Sequence, residues 1–164
     1  MEPLEVIKSK KEHLARLANQ TGAAGEAFLV TTMDDWIPRP KGQQLKNLLA
    51  ALENSGIIIK RSSFDAISLP NGKEIDLDNP ESINSVIDEL IFIEIKTANQ
   101  DRVKEDFTGF FFALTESEIS ASEALGKRHK VIFFNKKTGN TLVTSVPEII
   151  NKAKSTNWQV SVQL

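Results

Sequence analysis

The chain contains no cysteine and no tyrosine in 164 residues. The first absence removes disulfides, thiolate metal sites and cysteine nucleophiles. The second removes any covalent step through a phosphotyrosine. Histidine is scarce as well: His13 and His129 are the only two. That is too few for a histidine-rich metal centre, so a bound metal would take oxygen ligands, which favours Mg²⁺ or Mn²⁺. No apolar run approaches the ~20 residues of a membrane-spanning helix. Met1-Glu2-Pro3-Leu4 opens no signal peptide, so a cytoplasmic protein without a membrane partner is expected. The eight glycines are scattered, and Asn71-Gly72-Lys73 is too short a match to a phosphate-binding loop. No repeat or linker is evident, and 1–164 reads as one domain large enough for a single core.

What is present has ordinary globular composition, 26% charged and 40% hydrophobic. The net charge of −2 hides an uneven distribution. Residues 74–106 hold ten acids against Lys96, Arg102 and Lys104, a local −7 that leaves +5 elsewhere. Lys60-Arg61, Lys127-Arg128-His129-Lys130 and Lys136-Lys137 concentrate that positive charge. Each run reads more readily as a solvated surface than as a phosphate clamp, so charge permits nucleic-acid binding without demonstrating it.

Periodicity predicts amphipathic helices over 4–18 and 23–33, and a third over 43–54 stopped by Gly56. Residues 57–60 and 63–69 are strand-like, with a turn at Pro70-Asn71-Gly72. Residues 73–89 are polar and acidic, a loop with a short helix near 82–87. The apolar run Leu90-Ile91-Phe92-Ile93 opens a central strand, and a polar, mobile stretch over 97–106 follows it. Residues 110–114 read as a short buried strand. Thr115-Glu116-Ser117-Glu118 is a capping box that starts a helix ended by Gly126. A hairpin pairs 131–135 with 141–145, a helix starts at Pro147, and 158–164 alternates like an edge strand.

Glu94-Ile95-Lys96 is the most informative motif, and it is the only acidic-x-Lys tripeptide in the chain. Strand alternation points Glu94 and Lys96 to one face and Ile95 to the other. Such a pair on a strand can be a salt bridge and nothing more. Here, however, it closes a strand apolar enough to be central, where charge is costly to keep without a use. Asp65 lies in the preceding strand-like segment. Two carboxylates and a lysine on adjacent strands can hold a divalent metal and a water beside a phosphate.

On these residues the chain resembles the PD-(D/E)xK nuclease superfamily, which includes restriction endonucleases and Holliday junction resolvases. Within it, the sequence is most similar to the small domain at the C-terminus of the plant NO VEIN protein and in many bacterial defence proteins. The resemblance runs from about 21 to 134. Gly25-Glu26-Ala27-Phe28 resembles the family's first helix, Phe64-Asp65 its first metal ligand, and Ile93-Glu94-Ile95-Lys96-Thr97 its signature strand. Phe112-Ala113-Leu114-Thr115-Glu116-Ser117-Glu118 and Lys130-Val131-Ile132-Phe133-Phe134 resemble the helix and strand that follow. Phe64 stands where the motif has proline, and residues 66–93 form a longer connection than such hairpins usually need.

The resemblance implies an α/β fold with a restriction endonuclease-like mixed sheet, an αβββαβ core carrying N-terminal helices and a C-terminal hairpin, helix and strand. It implies Mg²⁺- or Mn²⁺-dependent hydrolysis of DNA phosphodiesters, in restriction, defence or DNA processing. Asp65 and Glu94 would bind the metal with the Ile95 carbonyl as a further ligand, and Lys96 would orient or activate the attacking water. Glu26 would complete the site directly or through water. It reads equally as a glutamate favoured in a helix's first turns by the dipole. Thr97 is placed near the site, and Glu118 is explained by capping and left out of the catalytic set. If Asp65 falls on the opposite sheet face from Glu94, Asp76 or Asp78 replaces it. Alternatives are a catalytically inactive DNA-binding or assembly module, and a chain that cleaves only with a motor or sensor partner. A homodimer is a further expectation, since cutting both strands of a duplex requires two sites.

Overall fold

The computed structural model describes residues 35–70, 72–157 and 162–164, together with Val30, Met33 and Val160. The helix predicted over 4–18 and most of that over 23–33, including Glu26, lie outside the described residues. In the described part, five strands form one mixed sheet: β1 (Trp36–Pro38), β2 (Ala66–Ser68), β3 (Ile91–Ala98), β4 (His129–Asn135) and β5 (Thr141–Thr144), in that spatial order. Helices α1 (Gly42–Asn54), α2 (Pro80–Val86), α3 (Glu116–Leu125) and α4 (Val146–Lys152) flank it. The expected α/β class with a mixed sheet and flanking helices is therefore present.

β1, β2 and β3 run antiparallel in sequence, with Ile37 opposite Ile67 and Ile67 opposite Phe92. β4 lies parallel to β3, Phe92 opposite His129 and Lys96 opposite Phe133. A parallel pair cannot be joined by a tight turn, so residues 99–128 cross over the sheet and carry α3. α3 begins on the predicted capping box, in which Thr115 Oγ1 accepts from the Glu118 N–H and Glu118 Oε2 accepts from the Thr115 N–H. Gly126 ends it at φ +58, a conformation open to glycine. The hairpin to β5 turns at Gly139 in the same way.

Alternation along β3 and β4 sorts the core. Ile93, Ile95, Ile132 and Phe134 pack with Ala66 and Val30 on one face. On the other face two apolar clusters form. One gathers Leu48, Leu52, Phe64, Phe92, Ala121 and Leu125 under α1 and α3. The other gathers Ala98, Phe107, Val131, Phe133 and Val146. Glu94 and Lys96 lie on that second face, between Phe92 and Ala98, at the junction of the two clusters.

Several expectations are corrected. Residues 57–60 form no strand; Ile57 and Ile59 pack onto the α1 cluster from irregular backbone. Residues 110–114 also form no strand. Phe110 and Phe112 turn inward onto the Phe133 ring, at centroid distances of 5.3 and 4.9 Å. Phe111 between them is 82% exposed. The in–out alternation is present there, but no neighbouring strand supplies a ladder. β3 continues to Ala98, two rungs into the stretch expected to be polar and mobile, because it pairs with β4 up to Asn135. The short helix lies at Pro80–Val86, capped by the Asn79 side chain. Val160 and residues 162–164 carry no strand, and Trp158, Gln159 and Ser161 lie outside the described residues.

This packing predicts opposite outcomes for two phenylalanines. Phe92→Ala should cost about 3–5 kcal/mol, the usual range for a buried aromatic truncated to alanine. Phe111→Ala should stay within about 0.5 kcal/mol of the parent. Urea unfolding of the two variants checks both values.

Candidate active site

Asp65 stands one residue before β2, where the sheet opens. The β2–β3 ladder reaches Ala66 opposite Ile93, and the Asp65 N–H still donates to the Ile93 carbonyl at 2.7 Å. Beyond that rung β2 has no strand residue to offer Ile95. The Asp65 side chain takes the vacant acceptor role: Oδ2 receives the Ile95 N–H at 2.8 Å. The carboxylate is thereby fixed beside β3. The Ile95 carbonyl lies on the same strand edge as its N–H, whereas its side chain is in the core of the opposite face.

Glu94 and Lys96 project under the start of α3. The Lys96 ammonium lies 3.0 Å from Glu94 Oε1 and 2.8 Å from Glu118 Oε1. Glu118 therefore divides its two oxygens, one capping α3 and one holding the lysine. The second oxygen of Glu94, Oε2, is buried without a hydrogen-bond partner. A bare carboxylate oxygen on a residue only 6% exposed is costly and marks a place where a cation or proton would be stabilised.

Electrostatics follow from this crowding. Burial, then the Asp65 charge, pushes the Glu94 carboxyl up to about 9. Burial also raises Asp65, offset in part by the Ile95 N–H and by the nearby Arg39. For Lys96, burial works to lower the ammonium, but Glu94 and Glu118 outweigh it and the net direction is up. Burial acts upward on Glu118 too, yet hydrogen bonds, first that from Lys96, bring it below its ordinary value. The charged lysine thus sits among three carboxyl groups, one of which holds a proton at neutral pH.

Asp65, Glu94 and Lys96 are thus brought together, but Asp65 comes from irregular backbone one residue before β2 and not from within a strand over 63–69, because the β2–β3 ladder ends at Ala66. Glu26 is outside the described residues. Thr97, by alternation, belongs to the opposite face from Lys96. Asp76 and Asp78 are exposed and engaged in their own loop, Asp76 Oδ1 accepting the Asp78 N–H and Asp78 Oδ2 accepting from Gln44. Two residues escape sequence reasoning. Capping accounts for Glu118 in the sequence, although a cap occupies one oxygen and leaves the other. Arg39 carries no local signal; its place beside Asp65 arises from β1 pairing with β2. Among the described residues, no three His, Asp or Glu side chains form a ready-made metal cage.

Of the basic runs, Lys60-Arg61 is exposed and immediately precedes the Ser63–Asp65 segment. Arg128 is instead tied to the Ile87 carbonyl, and Lys137 to Asp101. A groove lined by Ile37, Pro38, Arg39, Leu69, Ile75 and Leu77 lies apart from Glu94 and Lys96. No helix among the described residues is long and apolar enough to cross a membrane. Comparison with protein-family models, curated proteins and solved structures gives no match.

The raised Glu94 carboxyl has a testable sign. Folded Glu94 keeps its proton to about pH 9, against an ordinary value of 4.5. Between those values the folded state holds more protons than the unfolded one, so stability falls as pH rises through the window. Asp65 acts in the same direction. Glu94→Gln should remove most of this slope and stabilise the metal-free protein at pH 8, by about 1–3 kcal/mol. Urea unfolding at pH 5, 7 and 9 measures it; a parent curve rising over that range would show that Glu94 is ionised in the fold.

Proposed function

We propose that this protein is a divalent-metal-dependent endonuclease hydrolysing DNA phosphodiesters, with a restriction endonuclease-like fold of the PD-(D/E)xK kind. The observation that carries the reading is the meeting of Asp65, Glu94 and Lys96 at the opening between β2 and β3, with a buried carboxylate oxygen lacking a partner. The antiparallel β1-β2-β3 run, the crossover through α3 and the parallel β4 support the fold assignment. Mg²⁺ commonly uses one or two protein carboxylates and fills its remaining positions with water and substrate phosphate. Asp65 and Glu94 would therefore suffice as its carboxylate ligands.

Asp65 and Glu94 would hold the ion, with the Ile95 carbonyl on the same strand edge and Glu26 as a further candidate. When bound, the ion would supply Lewis-acid neutralisation of charge on the phosphate and its leaving oxygen. Glu94 would release its proton on binding, which links affinity to pH. Lys96 stays charged, so it acts as a hydrogen-bond donor and cation, orienting water and stabilising the extra negative charge of the transition state. Glu118 aims that ammonium. Lys60 and Arg61 offer exposed positive charge on the approach to Asp65.

DNA with Mg²⁺ or Mn²⁺ should be cleaved, and chelation should stop cleavage. Lys96→Ala and Asp65→Asn should each lower the rate by about 10²–10³-fold or more while keeping the native circular dichroism spectrum. Full activity in Glu94→Gln would overturn the assignment. Retained DNA binding without cleavage by the parent chain would favour the inactive binding-module reading.

We further propose that duplex cutting uses two copies, because one chain provides one such site. Sedimentation at micromolar concentration should show a dimer. A monomer that nicks without double-strand cleavage points instead to a partner motor or sensor chain.

A further inference from the structure

The segment that delivers Asp65 belongs to no regular element, since residues 61–65 form neither helix nor strand. It leaves the face of the sheet, where Phe64 packs edge-on against Phe92 at 5.1 Å, and enters β2 only at Ala66. Backbone of this kind has no ladder of its own, so its carbonyls must find other donors or leave the segment loose. Two residues provide them. Arg39 Nη1 donates to the carbonyls of Arg61 at 3.1 Å and Phe64 at 2.9 Å, and the Arg39 backbone N–H donates to the Asp65 carbonyl at 2.8 Å. From β4, the fully buried His129 places Nε2 3.1 Å from the Ser63 carbonyl. A carbonyl only accepts, so His129 must carry its proton on Nε2 to make this bond.

We propose that Arg39 and His129 are positioning residues that set where the Asp65 carboxylate sits. They reach the segment from the residue that follows β1 and from the first residue of β4, the strands on either side of the β2–β3 pair, and hold it at four carbonyls. Its remaining freedom is then removed by the Ile95 N–H on Asp65 Oδ2. A guanidinium suits the Arg39 side because the two N–H groups of Nη1 are fixed in its plane and meet two carbonyls at once, whereas an ammonium on a flexible stem holds no such fixed direction. It also keeps positive charge beside Asp65. Neither residue touches the reacting atoms in this scheme. Each acts through Asp65, and the consequence for metal affinity rests on the functional reading above.

The test reads the Ile95 amide directly, so it does not depend on that reading. In ¹⁵N–¹H spectra, Asp65→Ala marks the position of an Ile95 amide that has lost its acceptor. Arg39→Met and His129→Leu should each move the Ile95 signal toward that position and speed its hydrogen exchange by about tenfold or more, a local opening rather than global unfolding. The Ile132 amide should keep its protection. His129→Gln, which retains a donor, should restore the parent signal, and Arg39→Lys should fall between parent and Arg39→Met; these two also serve where the apolar variants do not fold. Mn²⁺ affinity by calorimetry should drop by about 10–100-fold in the variants that move Ile95, the usual effect of losing a group that orients a ligand. An Ile95 amide unchanged in folded Arg39 and His129 variants overturns the positioning role. A parent protein that binds no Mn²⁺ overturns the metal reading alone, and the Ile95 signal still decides this inference.

Discussion

Lys96, held between Glu94 and Glu118, organises everything around it. All three groups are largely withdrawn from water, and taking charges into such surroundings costs several kcal/mol per ion before any pairing. One cation serves two carboxylates, with Asp65 adding a third acid nearby. The arrangement persists because Glu94 can hold a proton and because one oxygen of Glu118 is anchored on the α3 backbone. It is a poor way to stabilise a fold, and under the proposed function it would keep a cation-binding position ready.

That polar junction is framed by the two apolar clusters on the same face of the sheet. The Phe92–Leu125 side lies under α1 and α3, and the Phe133–Val146 side under the crossover and α4. Their burial supplies the driving force that offsets the crowded charges between them. Phe107, held at a positive φ of 62° with its ring 5.3 Å from that of Phe133, shows how firmly the crossover is packed down. The crossover is also what makes the site complete. Because β3 and β4 are parallel, the chain must return across the sheet, and in doing so it sets the first turn of α3, with Glu118, over Lys96.

Much of this arrangement is legible in the order of residues. The capping box, the glycine at the end of α3, the β4–β5 hairpin and the helix at 42–54 rest on contacts within a few residues, so local pattern suffices to find them. The same holds for Glu94 and Lys96 sharing a face, which follows from the two-residue period of a strand. Residues 57–60 and 110–114 mislead for the complementary reason. Their apolar content and alternation describe which side chains turn inward, but a strand also requires a neighbour to bond with, and neither segment has one.

Residue order alone implies the α/β class, the absence of any thiolate donor for a metal, and the carboxylate–lysine pair on a central strand. What stands around that pair is settled by the tertiary fold. There Asp65 reaches β3 by taking the place of a missing strand rung, and Glu118 turns its second oxygen to Lys96. There too Arg39 and His129, 26 residues before and 64 residues after Asp65 in the chain, hold the segment that carries it. The physical reason is range. Periodicity and capping are set by neighbours along the chain, whereas the desolvation, pairing and fixed direction of these groups depend on which strands the fold lays side by side.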